Sequence, residues 1–137
     1  MRLWHYKLIP VLPKKQLVSQ WRECIAIKGM WEKGKLANQP LVNYVMNYNE
    51  ALLYEYTLKI CDELKRRGIN FRYIYINEMF RFCFPKGYAI AGFENYPEHN
   101  DRYLKQCYYN LQEKHDRGMI SDIEWKSIEL LMEKEVI

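Results

Sequence analysis

At 137 residues, 49% of them apolar and 28% charged, the chain has the size and balance of one soluble domain that buries a core without disulfides or a structural metal. Its longest apolar runs fall far short of the roughly 20 residues a membrane helix needs and its start carries no cleavable signal, so a cytoplasmic protein is expected. Cys24, Cys61, Cys83 and Cys107 form no C-x-x-C pair, which argues against a zinc ribbon or redox motif, and the net charge of +4 favours a polyanionic partner without demanding one.

Pro10 and Pro13 forbid a regular α-helix over residues 2–13 and predict an extended arm that ends at a helix entrance. From Lys14 to Lys28 the apolar residues Leu17, Val18, Trp21, Cys24 and Ile25 recur at helical spacing, and Gly29 supplies a stop. On that helix Arg22 and Glu23 fall on a more polar side with Gln16, Ser19 and Gln20. Taken alone, such a pair reads equally well as a solvated surface ion pair. Residues 30–48 read as a loop with one short helical turn, carrying Lys33 and Lys35. Asn47 followed by Glu50 resembles a cap for a helix running to Arg67, with Leu53, Tyr56, Ile60 and Leu64 on its buried stripe. Lys65, Arg66 and Arg67 suit the negative end of that helix dipole, and Gly68 closes it.

Residues 71–84 fit strand and helix patterns alike; helix is expected, because a lone strand would have no partner. A turn-rich connection over 85–97 precedes a helix over 98–116, and Ser121 with Glu124 forms a capping box for a last helix carrying Ile128, Leu131 and Met132. The predicted fold is all-α, a compact single domain over 1–137 with the N-terminal arm packed against the helices. Most of the twelve tyrosines and four tryptophans should fill the core, leaving a minority as platforms for bases. His5, His99 and His115 match no metal-ligand spacing and read as structural.

Chemistry enters at the chain start. An α-amino group with a pKa near 7.7–8.0 is roughly a tenth to a fifth neutral at pH 7, whereas an unperturbed lysine is neutral in well under a thousandth of molecules. A terminal amine is thus a far better nucleophile than a lysine before any burial is invoked. Arg2 is too large to permit removal of the initiator methionine, so Met1 is expected to supply the amine, with Arg2 and Arg22 adding positive potential that favours its neutral form and binds phosphates.

The Met1, Arg2, Leu3 start, Gln16 and Leu17 followed by Trp21, Arg22 and Glu23, the Ala37 and Asn38 loop, and the segment Glu63 to Asn70 occur in an order and spacing that resembles the pyrimidine dimer DNA glycosylases of the phage endonuclease V type. The resemblance covers about half the chain. It implies a repair glycosylase with AP lyase activity on double-stranded DNA containing damaged pyrimidines, with no metal and no organic cofactor. It also implies roles: the Met1 amine attacks the sugar, Glu23 is the essential helix-borne carboxylate, and Arg2 and Arg22 hold the DNA backbone; Lys33 and Lys35 of the loop are added as candidate DNA contacts. Residues 1–70 would be the glycosylase-like half, and 71–137 a helical completion. Two departures weaken the carry-over: Ala26 stands where the family has a further arginine, and a capped helix ending in Glu133, Lys134, Glu135, Val136 and Ile137 replaces a short aromatic, basic tail. These departures motivate a second expectation from another class, a non-catalytic helical module that binds nucleic acid or protein.

Overall fold

The computed structural model describes residues 1–34, 39–72, 78, 80 and 95–136. Among the described residues every regular element is helical: a 3-10 segment Tyr6–Val11, α1 Lys14–Glu32, a second 3-10 segment Asn43–Asn47, α2 Glu50–Arg66, α3 Asp101–Asp116 and α4 Asp122–Val136. The fold is all-α, as the apolar periodicity predicts. Helices α1 and α2 pack on one another, α3 packs on α4, and the first 3-10 segment touches both α2 and α4. Apart from Phe71, Arg72, Glu78 and Phe80, the stretch 71–84 over which a helix is expected lies outside the described residues, as do Lys35, Ala37, Asn38 and Cys83.

The arm, expected to be extended, is coiled over part of its length. Residues Tyr6–Val11 form the first 3-10 segment with Pro10 inside it, opened by the Leu8 N–H donating to the His5 carbonyl at 2.9 Å. A short 3-10 run needs few donors, and the fixed φ of proline suits it, so Pro10 excludes an α-helix without excluding this tighter turn. Leu3, Leu8 and Leu12 are fully or almost fully buried and hold the arm to the core.

Helix α1 runs past Gly29 to Glu32, and its stop is Gly34, whose φ of 68° lies in the left-handed region that glycine adopts without strain. An interior glycine costs about 1 kcal/mol relative to alanine, which is less than the anchoring available beyond it. Met30 and Trp31 pack against the core, and the buried Lys28 ammonium pairs with Glu32 at 3.1 Å and with Glu50 of α2 at 2.8 Å. At the other end of α1 the N-cap Pro13 offers no side-chain acceptor. Glu124 of α4 supplies one from across the fold, accepting the Lys14 N–H at 2.9 Å. The same carboxylate accepts the Ser121 hydroxyl at 2.9 Å while the Glu124 N–H donates to Ser121 Oγ at 3.2 Å. The predicted capping box therefore serves two helices, and its negative charge sits at the positive end of the α1 dipole.

Helix α2 is capped by Asn49, which accepts the Ala51 N–H at 2.9 Å, because Asn47 is taken up in the second 3-10 segment. Its far end closes on Gly68 (φ 69°) with the Ile69 N–H reaching back to the Leu64 carbonyl at 2.9 Å. Helix α3 begins three residues later than expected, at Asp101, since Asn100 is the residue whose side chain accepts from the Tyr103 N–H.

Two of the basic residues at the end of α2 part company. Arg66 is exposed and pairs with Glu63, whereas Arg67 is turned inward, its guanidinium donating to the carbonyls of Leu12 at 2.7 Å and Pro10 at 3.1 Å while Nε reaches Glu63 at 3.3 Å. Charged hydrogen bonds of this kind contribute about 1.5–3 kcal/mol, and an exposed ion pair at most about 1. Arg67→Ala is expected to lower the urea-derived unfolding free energy by about 2–3 kcal/mol, with Arg66→Ala changing it by about 0.5 or less. Equal losses for the two would show that Arg67 does not fasten the arm.

Candidate active site

The chain start is fixed by side chains from three helices. Gln20 of α1 is completely buried, and all its hydrogen-bonding capacity is used. Its Nε2 donates to the Arg2 carbonyl at 2.9 Å and to Glu23 Oε2 at 2.8 Å, and its Oε1 accepts the Trp4 N–H at 2.6 Å. The Tyr56 hydroxyl of α2 lies 2.8 Å from the same Oε1 and 2.6 Å from the Trp4 carbonyl, sharing its one proton between them. Tyr103 of α3 donates to the Leu3 carbonyl, and His99 Nδ1 accepts the Tyr6 N–H at 3.3 Å. Residues 2–6 are therefore held by their backbone, which leaves little freedom in where the first residue emerges.

His99 completes this clasp as a neutral ring. It stacks on His5 at 5.3 Å and is enclosed by the rings of Tyr44, Tyr56, Tyr96 and Tyr103. Burial in this aromatic shell, aided by the charges of His5 and Lys59, holds its pKa down to about 3. With Nδ1 accepting from the backbone, the proton belongs on Nε2, which faces the Tyr44 hydroxyl at 2.8 Å. The structural reading of His5 and His99 fits these surroundings.

Glu23 is half-buried, one turn along α1 from Gln20. Burial raises its carboxyl pKa above the ordinary 4.5, and two influences act against that rise: the positive charge of the Met1 ammonium and the Gln20 N–H. The amine and the carboxylate therefore sense one another through space, while the direct contact to Glu23 Oε2 is made by Gln20. Met1 itself remains 42% exposed. A half-buried carboxylate whose charged form is favoured by the terminal ammonium is suited to proton transfer beside an attacking amine.

The basic residues divide by exposure. Arg22 and Lys33 are exposed and able to meet a phosphate, as is the Ala26 position where no charge is present. Arg2 is half-buried, its guanidinium 5.6 Å from the Trp4 ring centre, and its charge draws down the Tyr103 hydroxyl and the Cys107 thiol against the upward push of burial. Lys35 lies outside the described residues. Among the described residues the other thiols, Cys24 and Cys61, are buried and free with their pKa raised by burial, that of Cys61 to about 12, which makes them poor nucleophiles.

Sequence patterning placed Gln20 on the polar side of α1 with Gln16, Ser19, Arg22 and Glu23. Ser19 and Arg22 are exposed, Gln16 and Glu23 are half-buried, and Gln20 is fully inside. A signal was available, because Gln20 falls three residues after Leu17, four before Cys24 and seven before Ile27, all of them completely buried. Tyr56 was read as a core residue and is one, with its hydroxyl doing the additional work of holding Trp4. Tyr103 and His99 reach the arm from about a hundred residues away, and local periodicity carries no sign of that.

The sequence model of one family, described as pyrimidine dimer DNA glycosylase, matches residues 1–77. No curated protein and no solved structure matches the chain. The matched stretch contains Met1, Arg2, Gln20, Arg22, Glu23 and Tyr56, and it ends before His99 and Tyr103 of the clasp. With more than half of its length covered, and with Met1, Gln20 and Glu23 all inside that half, the chain belongs to the pyrimidine dimer DNA glycosylase family.

Proposed function

We propose that this protein excises pyrimidine dimers from double-stranded DNA through an imine formed by the Met1 amine, and that it then cuts the strand as an AP lyase. The observation that carries this reading is one buried amide, Gln20, hydrogen-bonded to the backbone of residues 2 and 4 and to the Glu23 carboxylate, whose charge the terminal ammonium favours. In the proposed sequence the unprotonated amine forms a bond to the sugar C1′ as the glycosidic bond breaks and its electrons leave with the base. The ring then opens between C1′ and O4′ to give the protonated imine. Loss of a proton from C2′ permits the C3′–O bond to break, releasing the 3′ phosphate as leaving group. Glu23 is suited to balance positive charge on the sugar in the first stage and to take up or hand on the proton in the last. Arg22 and Lys33 on the exposed side, with Arg2 and Lys35, are proposed to bind the DNA backbone.

Borohydride reduction during incubation with an ultraviolet-irradiated or abasic duplex is the direct test, because it converts the imine to a stable amine. A covalent adduct mapped to Met1 is the expected result. No adduct on either duplex, with DNA binding intact, would favour a non-catalytic nucleic-acid-binding module. Adduct on the abasic duplex alone would retain the lyase chemistry and remove the dimer specificity.

A further inference from the structure

We propose that Gln20 is the positioning residue of this site, setting the chain-terminal amine and the Glu23 carboxylate against one another through one buried side chain. This rests on the imine-forming reading above. The inference comes from the completeness of the hydrogen-bond set. A primary amide has two N–H donors and an oxygen with two lone pairs, and in Gln20 the donors go to the Arg2 carbonyl and Glu23 Oε2 while the oxygen takes the Trp4 N–H and the Tyr56 hydroxyl. Nothing remains for a packing role that a hydrophobic side chain would not fill better, since a buried amide is costly unless every group is paired. What this amide achieves, and an apolar residue would not, is to tie two chemically different groups to one point. Its two bonds on the arm flank Leu3, so a sliding of the arm by a residue breaks both at once. Its bond to Glu23 comes from the neighbouring turn of the same helix, so the carboxylate follows the same anchor.

The role separates from simple stabilisation because Tyr56 is bonded to the same amide oxygen and to Trp4, yet makes no hydrogen bond to Glu23 in this arrangement. Tyr56→Phe removes one member of the cluster while leaving the link from Gln20 to Glu23. Gln20→Met removes the link with little change in volume. Misplacing a reacting group by about an ångström costs about a hundredfold in rate, so Gln20→Met is expected to lower the single-turnover cleavage rate by about ten- to a hundredfold, with duplex affinity changed less than about threefold. Its acid limb should move to higher pH, because the Gln20 N–H is one of the influences that lowers the Glu23 pKa. Tyr56→Phe, compared at matched folded fraction, is expected to leave the acid limb in place and to slow cleavage only a few-fold.

A measurement on the wild-type protein alone keeps the proposal testable should Gln20→Met not fold. The Gln20 side-chain amide proton and nitrogen resonances should titrate with the pH midpoint of the Glu23 carboxyl, and that titration should vanish in Glu23→Gln. Gln20 resonances indifferent to Glu23, or identical kinetic and acid-limb changes in Gln20→Met and Tyr56→Phe, would overturn the positioning role. The resonance titration does not depend on activity. If it is observed while wild-type protein forms no borohydride adduct, the coupling stands and the imine chemistry falls; the reverse combination removes Gln20 and leaves the chemistry.

Discussion

Glu23→Gln is expected to lose cleavage while keeping both the fold and the grip on DNA. Loss of a positioned proton-transfer group costs about 10²–10⁴-fold in rate, and the carboxylate is proposed to act on the reacting sugar, so duplex affinity should change little. Stability at neutral pH should be equal or higher in the variant, and the sign follows from the direction of the pKa shift. In the unfolded chain the carboxyl titrates near 4.5, and in the folded protein burial moves it upward. Below 4.5 it is neutral in both states; as pH rises through the folded value, charge is forced onto a half-buried group and stability is lost. Glutamine carries no charge, and its carbonyl still accepts the Gln20 N–H. Cleavage and urea denaturation measured on the same preparation check both halves, and undiminished cleavage would remove Glu23 from the mechanism.

Acid should weaken the protein well before ordinary carboxylates are protonated. The unfolded chain binds a proton at His99 near pH 6.5, whereas the folded ring resists protonation until about pH 3. Its contribution is therefore complete above 6.5 and declines as pH falls, by about 1.4 kcal/mol per pH unit for one proton. Between pH 6.5 and 4.5 the loss is roughly 2 kcal/mol, a substantial part of the 5–15 kcal/mol typical of a whole domain. His5, whose pKa burial also lowers, acts in the same direction, while Glu23 acts in the opposite one. Denaturation at successive pH values in the Glu23→Gln background isolates the histidines. His99→Gln should flatten the profile, and a flat profile in the protein with both histidines present would mean that the folded state takes up protons readily at His99.

What the chain order conveyed and what it hid follow from the range over which each interaction acts. The stripe of Leu53, Tyr56, Ile60 and Leu64, and the capping box at Ser121 and Glu124, depend on neighbours within two turns, and the fold reproduces them. Gly29 and Asn47 were misread as boundaries because each has the right local chemistry, but tertiary partners decided otherwise: Lys28 and Trp31 carry α1 through the glycine, and the second 3-10 segment leaves the capping to Asn49. At the candidate site, Met1, Arg22 and Glu23 were visible in the family-like order of residues. Gln20 was obscured by its polarity, because patterning assumes that amides face water unless a complete set of partners exists inside. The partners that make its burial affordable, Trp4 and Tyr56, are distant in sequence. Arg67 was similarly read from the helix dipole alone, with no local hint that its guanidinium holds the carbonyls of the arm.

The clasp on the arm also orders events during synthesis. Gln20, Tyr56 and Arg67 follow the arm closely in sequence, but three further fastenings are made much later: Tyr103 for the Leu3 carbonyl, Glu124 for the Lys14 N–H, and Glu135, whose carboxylate meets the Lys7 ammonium at 2.9 Å across 128 positions of sequence. At a translation rate of about 5–20 residues per second, that interval lasts roughly 6–25 seconds. Throughout that interval the arm has only its early partners, Gln20 and Tyr56 on residues 2 and 4 and Arg67 on residues 10 and 12, to hold it against α1 and α2. The arm is thereby seated in two stages, first on α1 and α2 and then, with the later helices, by Tyr103, Glu124 and Glu135.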